Sequence, residues 1–456
     1  MIETLQHLPP AADSHGTLAA QFTDLAPPLT SRQAAIEAAR CLYCYDAPCM
    51  RACPTGIDVA SFIRNIHDQN INGAAIGILK QNIFGGSCAR VCPTEILCED
   101  ACVRNNPAER EPVKIGLLQR HALDHASFAG HPFARSPATG KTVAVVGAGP
   151  AGLSCAHRLA MLGHDVVVFE ARPKAGGLNE YGIARYKLPG AYAQQEVDFL
   201  LEIGGIDIQY GQALGEHFQL SDLHARFDAV FLGIGLGASR RLGLTGEDAP
   251  GLMAATDYIA ALRQASDLAT LPVPRRAVVI GAGNTAIDMA VQIRRLGADE
   301  VTLVYRRGFD AMSATGHEIE IAKLNGVRIR TWASPLEVLL GDHGRVVGMR
   351  FEETRIIDAR LARTGAFIDI AADAVFKAIG QAMAAPPPAD QLAQGLWQDG
   401  ERIAVDAALR TKVPGVYAGG DCVSLGQDLT VQAVQHGKLA AMAIHHDIAA
   451  EAAWPT

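Results

Sequence analysis

Ten cysteines occur in 456 residues, and eight of them lie between positions 41 and 102. The first four read C-x2-C-x4-C-x3-C-P (Cys41, Cys44, Cys49, Cys53), and the second four read C-x3-C-P-x4-C-x3-C (Cys88, Cys92, Cys98, Cys102). Thiols at this density form disulfides, hold structural zinc or ligate iron–sulfur clusters. Disulfides belong to oxidising compartments, and the N-terminus MIETLQHLPPAADSHG has neither the basic nor the apolar region of a secretory signal. Zinc sites usually close on paired C-x2-C knuckles, and only Cys41 and Cys44 have that spacing. A cysteine followed by proline, closing a run that serves two clusters, is the bacterial ferredoxin arrangement. The eight thiols are therefore read as holding two 4Fe–4S clusters. Cys155 and Cys422 stand apart and are read as structural.

The surrounding elements must position this cage. Residues 1–29 are Pro- and Ala-rich and read as an arm. Thr30-Ser31-Arg32-Gln33 has the form of a capping box opening a helix that runs into Cys41. Residues 30–137 read as a helical iron–sulfur domain, and HPFARSPATGK (131–141) has linker composition. Beyond it, short Val/Ile-rich strands alternate with Ala/Leu-rich helices, which predicts an α/β fold with parallel sheets. A net charge of −8 and a pI near 6.0 argue against nucleic acid. No apolar run reaches membrane-spanning length. The expectation is a cytoplasmic protein with neither nucleic acid nor membrane as partner.

VAVVGAGPAGLSCAHRLAMLGHDVVVFE (143–170) predicts strand, glycine turn, helix and strand. Gly147 makes the tight turn, Gly149 admits a pyrophosphate and Gly152 lets helix pack on strand, while Glu170 ends the second strand facing a ribose. The unit recurs as AVVIGAGNTAIDMAVQIRRLGADEVTLVYRR (277–307), with Gly281, Gly283 and Ala286. Its second strand ends in Arg306 and Arg307 rather than an acid, which by itself points to a 2′-phosphate. An internal echo, Asp228-Ala-Val-Phe-Leu-Gly-Ile-Gly235 and Asp373-Ala-Val-Phe-Lys-Ala-Ile-Gly380, is read as the last strand of each unit. The expected layout is two nested Rossmann-like domains. The first spans 138–270 and 378–448, and the second, 271–377, is inserted into it.

VPGVYAGGDCV followed by TVQAVQHGKLAA resembles the closing motif of flavin disulfide-reductase-like proteins. That resemblance places Asp421 at the FAD ribityl chain and the helix start Thr430, Val431 and Gln432 at the flavin pyrimidine edge. The split domain then takes FAD and the inserted one a nicotinamide nucleotide. No redox-active C-x-x-C exists outside the N-terminal segment, so electrons are expected to leave through the eight thiols.

NIFGGSCARVCPTEILCEDAC, VKIGLLQR, ARYKLPG, FLGIGLG, VYRRGF with HEIEIAKLNG, and AGGDCV together resemble the flavin and iron–sulfur subunits of bacterial dihydropyrimidine dehydrogenases. They resemble the glutamate synthase small subunit less closely. The likeness runs from about residue 35 to about residue 447. It implies one cluster on Cys41, Cys44, Cys49 and Cys102. A second lies on Cys53, Cys92, Cys98 and Gln119, and Cys88 is left over. It implies FAD contacts from Gly147, Gly149, Pro150, Ala151, Gly152, Glu170, Gly177, Leu178, Lys187, Leu236, Gly420 and Asp421. The nicotinamide nucleotide is assigned to Gly281, Gly283, Asn284, Thr285, Arg306 and Arg307. Ser313 stands where NADPH-dependent relatives carry a third basic residue, so NADH is preferred to NADPH here.

The resemblance further implies a cytoplasmic NAD(P)H-dependent flavin oxidoreductase that feeds an FMN-containing partner reducing uracil or thymine. The expected assembly is a heterotetramer with two copies of each subunit. FMN belongs only to the partner, and no catalytic side chain is expected here beyond those positioning flavin and nicotinamide. A glutamate synthase small subunit and a stand-alone NAD(P)H:ferredoxin-type oxidoreductase are the enzymatic alternatives. A colourless zinc-bearing adaptor is the non-enzymatic one.

Overall fold

The computed structural model describes residues 2–11, 15–397 and 401–452. The chain forms two compact units. One comprises Ala26–Glu180, Gly190–Gly237 and Met383–Thr456, and the other Met1–Leu25, Tyr181–Pro189 and Ala238–Ala382.

The first unit opens with the cysteine-bearing segment, built from helices Ser31–Ala38, Pro48–Ala52, Val59–His67, Ile71–Gln81, Gly85–Val91 and Ile115–His125. Thr30 and Gln33 form the reciprocal capping box, and the helix stops at Ala38, before Cys41. Apolar faces at helical spacing, including Phe62, Ile63, Ile78 and Leu118, bury a core against which Cys41, Cys49, Cys53, Cys98 and Cys102 pack. The same unit carries a five-stranded sheet in the order Val416–Ala418, Ala229–Leu232, Thr142–Val146, Asp165–Glu170, Ile206–Tyr210, parallel throughout. Helix Pro150–Met161 follows the first glycine turn, and the long helix Thr430–Ala452 packs on it.

The second unit repeats this plan. Its parallel sheet runs Leu252–Ala254, Ala374–Lys377, Arg276–Ile280, Glu300–Val304, Arg328–Arg330. Helix Asn284–Arg295 follows the second glycine turn, and a three-stranded antiparallel sheet spans Ala333–Leu340, Val346–Ile357 and Arg360–Ala371.

The echo has a physical basis. Ala229–Leu232 and Ala374–Lys377 each pair in parallel with the strand that leads into the glycine turn. Asp228 accepts from the Thr142 amide at 2.8 Å and Asp373 from the Arg276 amide at 2.9 Å, pinning the two strand starts alike. Neither echo strand lies at the edge of its sheet, although Ala374–Lys377 is the last of its sheet in chain order. Val416–Ala418 adds outside the first and Leu252–Ala254 outside the second.

The second unit also takes in more chain than 271–377. Leu5, Leu18 and Phe22 of the expected arm are buried in its core with Tyr186, Tyr258 and Ile259. The Ala11 amide donates to the Leu271 carbonyl, and the Val273 amide to that of Pro9. Isolated apolar residues without helical or strand periodicity gave no sign of this burial.

Two glycines set how closely the helices of the first unit approach. A Cβ at Gly152 would lie 1.9 Å from the Gly147 carbonyl oxygen, and one at Gly437 2.1 Å from that of Ala151. Gly437→Val is therefore expected to destabilise the protein by about 2 kcal/mol or more through overpacking, measured as a loss of thermal stability relative to Leu439→Val on the exposed side of the same helix.

Candidate functional site: a thiol cage beside a dinucleotide fold, and a second dinucleotide fold

Cys41, Cys44, Cys49 and Cys102 line one cavity whose remaining walls include Val59, Ile63, Val113 and Ile115. Burial raises the Cys41 thiol, and burial together with Cys102 and Cys41 pushes Cys49 up to about 11. Cys53, Cys92 and Cys98 form a second group. The hydrogen bond that the Cys92 thiol donates to Cys88, then burial, then the neighbours Cys88, Cys98 and Cys53 hold Cys92 well above the ordinary thiol range. Burial, Glu99 and Cys53 do the same for Cys98. Among the described residues, no three His, Cys, Asp or Glu side chains are arranged around a single metal ion. Thiols ringing an apolar cavity fit iron–sulfur clusters, whose iron carries the positive charge that the thiolates lack.

Gln119 is buried on helix Ile115–His125, and its amide nitrogen donates to the Gly85 carbonyl at 2.7 Å. Cys88 is buried and touches Cys92 as a neighbouring thiol.

In the first unit the glycine turn is built as its sequence requires. Gly147 has φ +98°, and a Cβ there would lie 2.5 Å from the Gly233 carbonyl oxygen. Pro150 occupies the first turn of its helix, and Ala151 Cβ lies 3.0 Å from where a Gly420 Cβ would stand. Gly177 has φ +53° and faces Gly149, so the two leave a cradle that side chains would fill. Leu178 opens the next short helix and is exposed. The Glu170 carboxylate accepts from the amides of Ala148 (2.7 Å) and Arg172 (2.8 Å), which holds it at the strand end.

Burial pushes the Asp421 carboxyl up to about 6, with Asp428 adding to the effect and Arg402 opposing it. Hydroxyl donors from a ligand would relieve that cost. Thr430 donates to Asn179 Oδ1 at 3.1 Å, Val431 is buried, and Gln432 bonds His436 at 2.9 Å. Leu236 packs beside the sheet with Ile234. These features bring the glycine turn, Gly420 and the start of the C-terminal helix together and fit a bound FAD. Cys155 and Cys422 are buried, and burial raises both thiols, Cys422 to about 12, which matches structural roles.

In the second unit Gly281 has φ +143°, and its Cβ would stand 2.2 Å from the Ala378 carbonyl oxygen. Gly283 caps helix Asn284–Arg295, whose first residues are Asn284 and Thr285; Asn284 Oδ1 accepts from the Thr315 amide at 3.3 Å. Arg306 and Arg307 are exposed beyond the second strand, and Ser313 bonds the Ala282 carbonyl at 3.5 Å. An open turn flanked by two exposed guanidiniums fits a nicotinamide dinucleotide.

Lys187, set at the flavin by the sequence reading, has its ammonium engaged within this second unit. It pairs with Asp288 and Glu318, both at 2.7 Å, while Tyr186 donates to Asp288 at 2.9 Å. Burial works against its charge, but the two carboxylates outweigh it and hold the lysine above its ordinary range.

Three residues escaped the sequence reading. Glu196 accepts from the amides of Gly86 (2.9 Å) and Ser87 (3.0 Å) and from the Ser87 hydroxyl, so it anchors the helix that leads into Cys88 and Cys92. His436 Nδ1 accepts from the Gly420 amide at 3.1 Å. Lys438 reaches the carbonyls of Thr55 and Gln81. Each acts over 15 or more positions in sequence, and no spacing signals it.

Fold and site together define a pyridine-nucleotide flavoprotein joined to an iron–sulfur domain. Residues 141–437 match the pyridine nucleotide-disulphide oxidoreductase family, and residues 18–130 match the family described as dihydropyrimidine dehydrogenase domain II, 4Fe-4S cluster. The NAD-dependent dihydropyrimidine dehydrogenase subunit PreT of Salmonella typhimurium is 34% identical over 424 residues, covering 93% of this chain and 96% of that protein. The glutamate synthase (NADPH) small chain of Escherichia coli is 34% identical over 444 residues, covering 92% and 93%. Mycobacterium tuberculosis FprA in complex with NADPH shares the fold at a TM-score of 0.56 and 21% identity, over 70% of this chain and 86% of that one. Thioredoxin reductase from T. acidophilum does so at 0.52 and 23%, over 67% and 99%. The chain belongs to the family of flavin and iron–sulfur oxidoreductase subunits that includes PreT and the glutamate synthase small chain. It is an NAD(P)H-dependent flavin oxidoreductase with a 4Fe–4S domain. Among the described residues, no helix is long and apolar enough to cross a membrane.

Burial raises Glu196 from 4.5 to about 7, against its three hydrogen bonds. A carboxyl whose folded value lies above its unfolded one binds its proton more tightly when folded, so its contribution to stability falls as pH rises from about 4.5 to about 7. Glu196→Gln is expected to flatten that decline by on the order of 2 kcal/mol, measured by denaturant unfolding across this pH window.

Proposed function

We propose that this chain is the electron-input subunit of a dihydropyrimidine dehydrogenase. When bound, FAD takes hydride from NADH, and two 4Fe–4S clusters pass single electrons to an FMN-containing partner that reduces uracil or thymine to the 5,6-dihydro form. The observation that carries this reading is the match of residues 18–130 to the dihydropyrimidine dehydrogenase domain II, 4Fe-4S cluster family together with 34% identity to PreT over 93% of the chain; Gln119, buried with its nitrogen tied to Gly85, is assigned as a ligand by resemblance. We take residues 30–137 as the cluster region, 138–270 with 378–448 as the FAD region and 271–377 as the nucleotide region, except that Tyr181–Pro189 and residues 238–270 pack with the nucleotide region.

In this reading Cys41, Cys44, Cys49 and Cys102 hold one cluster, and Cys53, Cys92, Cys98 and Gln119 the other. Glu170 orients the adenosine ribose of FAD, Asp421 accepts from its ribityl hydroxyls, and the helix start at Thr430–Gln432 turns its positive end toward the flavin. Asn284, Thr285 and the exposed Arg306 and Arg307 hold the nucleotide, with Ser313 in place of a third cation, so NADH is favoured over NADPH. The chain's own contribution to rate is positioning. The assembly is a cytoplasmic heterotetramer with two copies of each subunit.

A glutamate synthase small subunit is the second reading, supported by equal identity to that small chain. Copurification decides between them: a barrel subunit giving uracil-dependent NADH oxidation supports the first, and one giving glutamine- and 2-oxoglutarate-dependent oxidation supports the second.

In anaerobic titration of the purified chain, NADH is expected to bleach the flavin at a lower concentration than NADPH. Dithionite is then expected to develop the low-temperature EPR signals of two reduced clusters. Iron and sulfide absent from anaerobic preparations would overturn the proposal. Gln119→Ala is expected to abolish one cluster signal and keep the other. Arg306→Ala is expected to weaken nucleotide binding about tenfold, or about 1.4 kcal/mol, measured by the concentration needed for half-reduction.

A further inference from the structure

Lys438 lies in the C-terminal helix, two turns beyond the start at Thr430–Gln432. Its side chain leaves that helix and uses all three donors on the cysteine-bearing segment: the Thr55 carbonyl at 2.8 Å, the Gln81 carbonyl at 3.1 Å and Gln81 Oε1 at 3.1 Å. Thr55 is 2% exposed, and its hydroxyl lies 3.3 Å from Cys53 Sγ. A cysteine that ligates iron is a thiolate without a proton, so in the loaded protein this hydrogen bond runs from Thr55 to sulfur. One residue thus presents its carbonyl to the ammonium and its hydroxyl to the cluster ligand.

Burial and the neighbouring Arg158 lower Lys438, and Cys53 opposes them. Part of its role is explained by packing alone. Arg158 donates to the Lys80 carbonyl at 2.8 Å, and Lys438 to that of Gln81, so both cations cover the C-terminal end of helix Ile71–Gln81. A helix cap would need no bond to Thr55, two positions from Cys53. The contact that reaches the ligand loop is the part that capping does not account for.

We propose that Lys438 and Thr55 are positioning residues that raise the reduction potential of the cluster held by Cys53, a role that rests on the cluster assignment under Proposed function. Reduction adds negative charge to a cluster, and a nearby cation with a hydroxyl donated to a ligand sulfur stabilises that state. The C-terminal helix then serves both redox groups of this unit. Its first turn faces the flavin, and its lysine makes the cluster at Cys53 a better acceptor for electrons leaving it.

The test is an EPR-monitored redox titration of the anaerobic holoprotein as wild type, Lys438→Met, Lys438→Arg and Thr55→Val. Lys438→Met is expected to lower one of the two midpoint potentials by a tenfold change in the reduction equilibrium, which is 59 mV for a one-electron couple. The other couple should stay in place as the internal control. Lys438→Arg is expected to restore the value, and Thr55→Val to move the same couple in the same direction. Unchanged potentials, or equal movement of both, would overturn the inference while leaving the cluster assignment intact. A wild type without iron and sulfide would instead overturn the assignment, and the inference with it, whereas clusters present but not reduced in the titration would overturn the inference alone. Should Lys438→Met fail to load its clusters, Thr55→Val decides by the same criterion.

Discussion

Much of the first unit depends on a crossing where no side chain fits. Helix Pro150–Met161 is pressed against the turn at Gly147 through Gly152 and against helix Thr430–Ala452 through Gly437. The Ser154 hydroxyl adds a bond to the Val434 carbonyl at 2.8 Å. This contact brings the last helix of the chain to the first nucleotide turn, so a dinucleotide site forms from segments more than 250 residues apart. It also sets the direction in which Lys438 leaves the helix. The backbone approach is close because glycine removes the Cβ, and the surrounding alanines and valines then fill the core tightly.

The cysteine segment poses an electrostatic problem. Its thiols are gathered in partly buried apolar surroundings where thiolates repel one another and lose hydration. The protein supplies cations and donors at the edges: Arg40 bonds the Pro112 carbonyl, Arg90 pairs with Asp124, and Lys438 reaches Thr55. Arg104 lines the cavity of Cys41, Cys44, Cys49 and Cys102 and pulls Cys41 down, against the larger effect of burial. Glu196 solves a different problem, accepting from the buried amides in the first turn of helix Gly85–Val91 at the cost of burying a carboxylate.

The second unit shows how far charge accounting depends on packing. One lysine stands between two carboxylates in a buried setting, and burial raises Glu318 against the pull of Lys187. Nothing in ARYKLPG or HEIEIAKLNG announces that pairing, because its members come from three separate segments. The same applies to Leu5 and Phe22, which look like linker residues in sequence and are core residues in space.

What the sequence determined by itself was local. Strand, turn and helix around Gly147 and Gly281, the box at Thr30, and the two runs of four cysteines each follow from residues within about thirty positions of one another, where spacing translates directly into geometry. The echo of Asp228 and Asp373 was legible for the same reason; the strand after Asp373 is the last of its sheet along the chain, whereas Val416–Ala418 follows the one after Asp228. Tertiary structure alone decided which thiols share a cavity, which charges meet Lys187, and that Glu196, His436 and Lys438 support the site. Those are long-range contacts made by single side chains. A lone Glu, His or Lys has no period or motif, and its partner is chosen only when the packed backbone brings an unsatisfied donor or acceptor within reach.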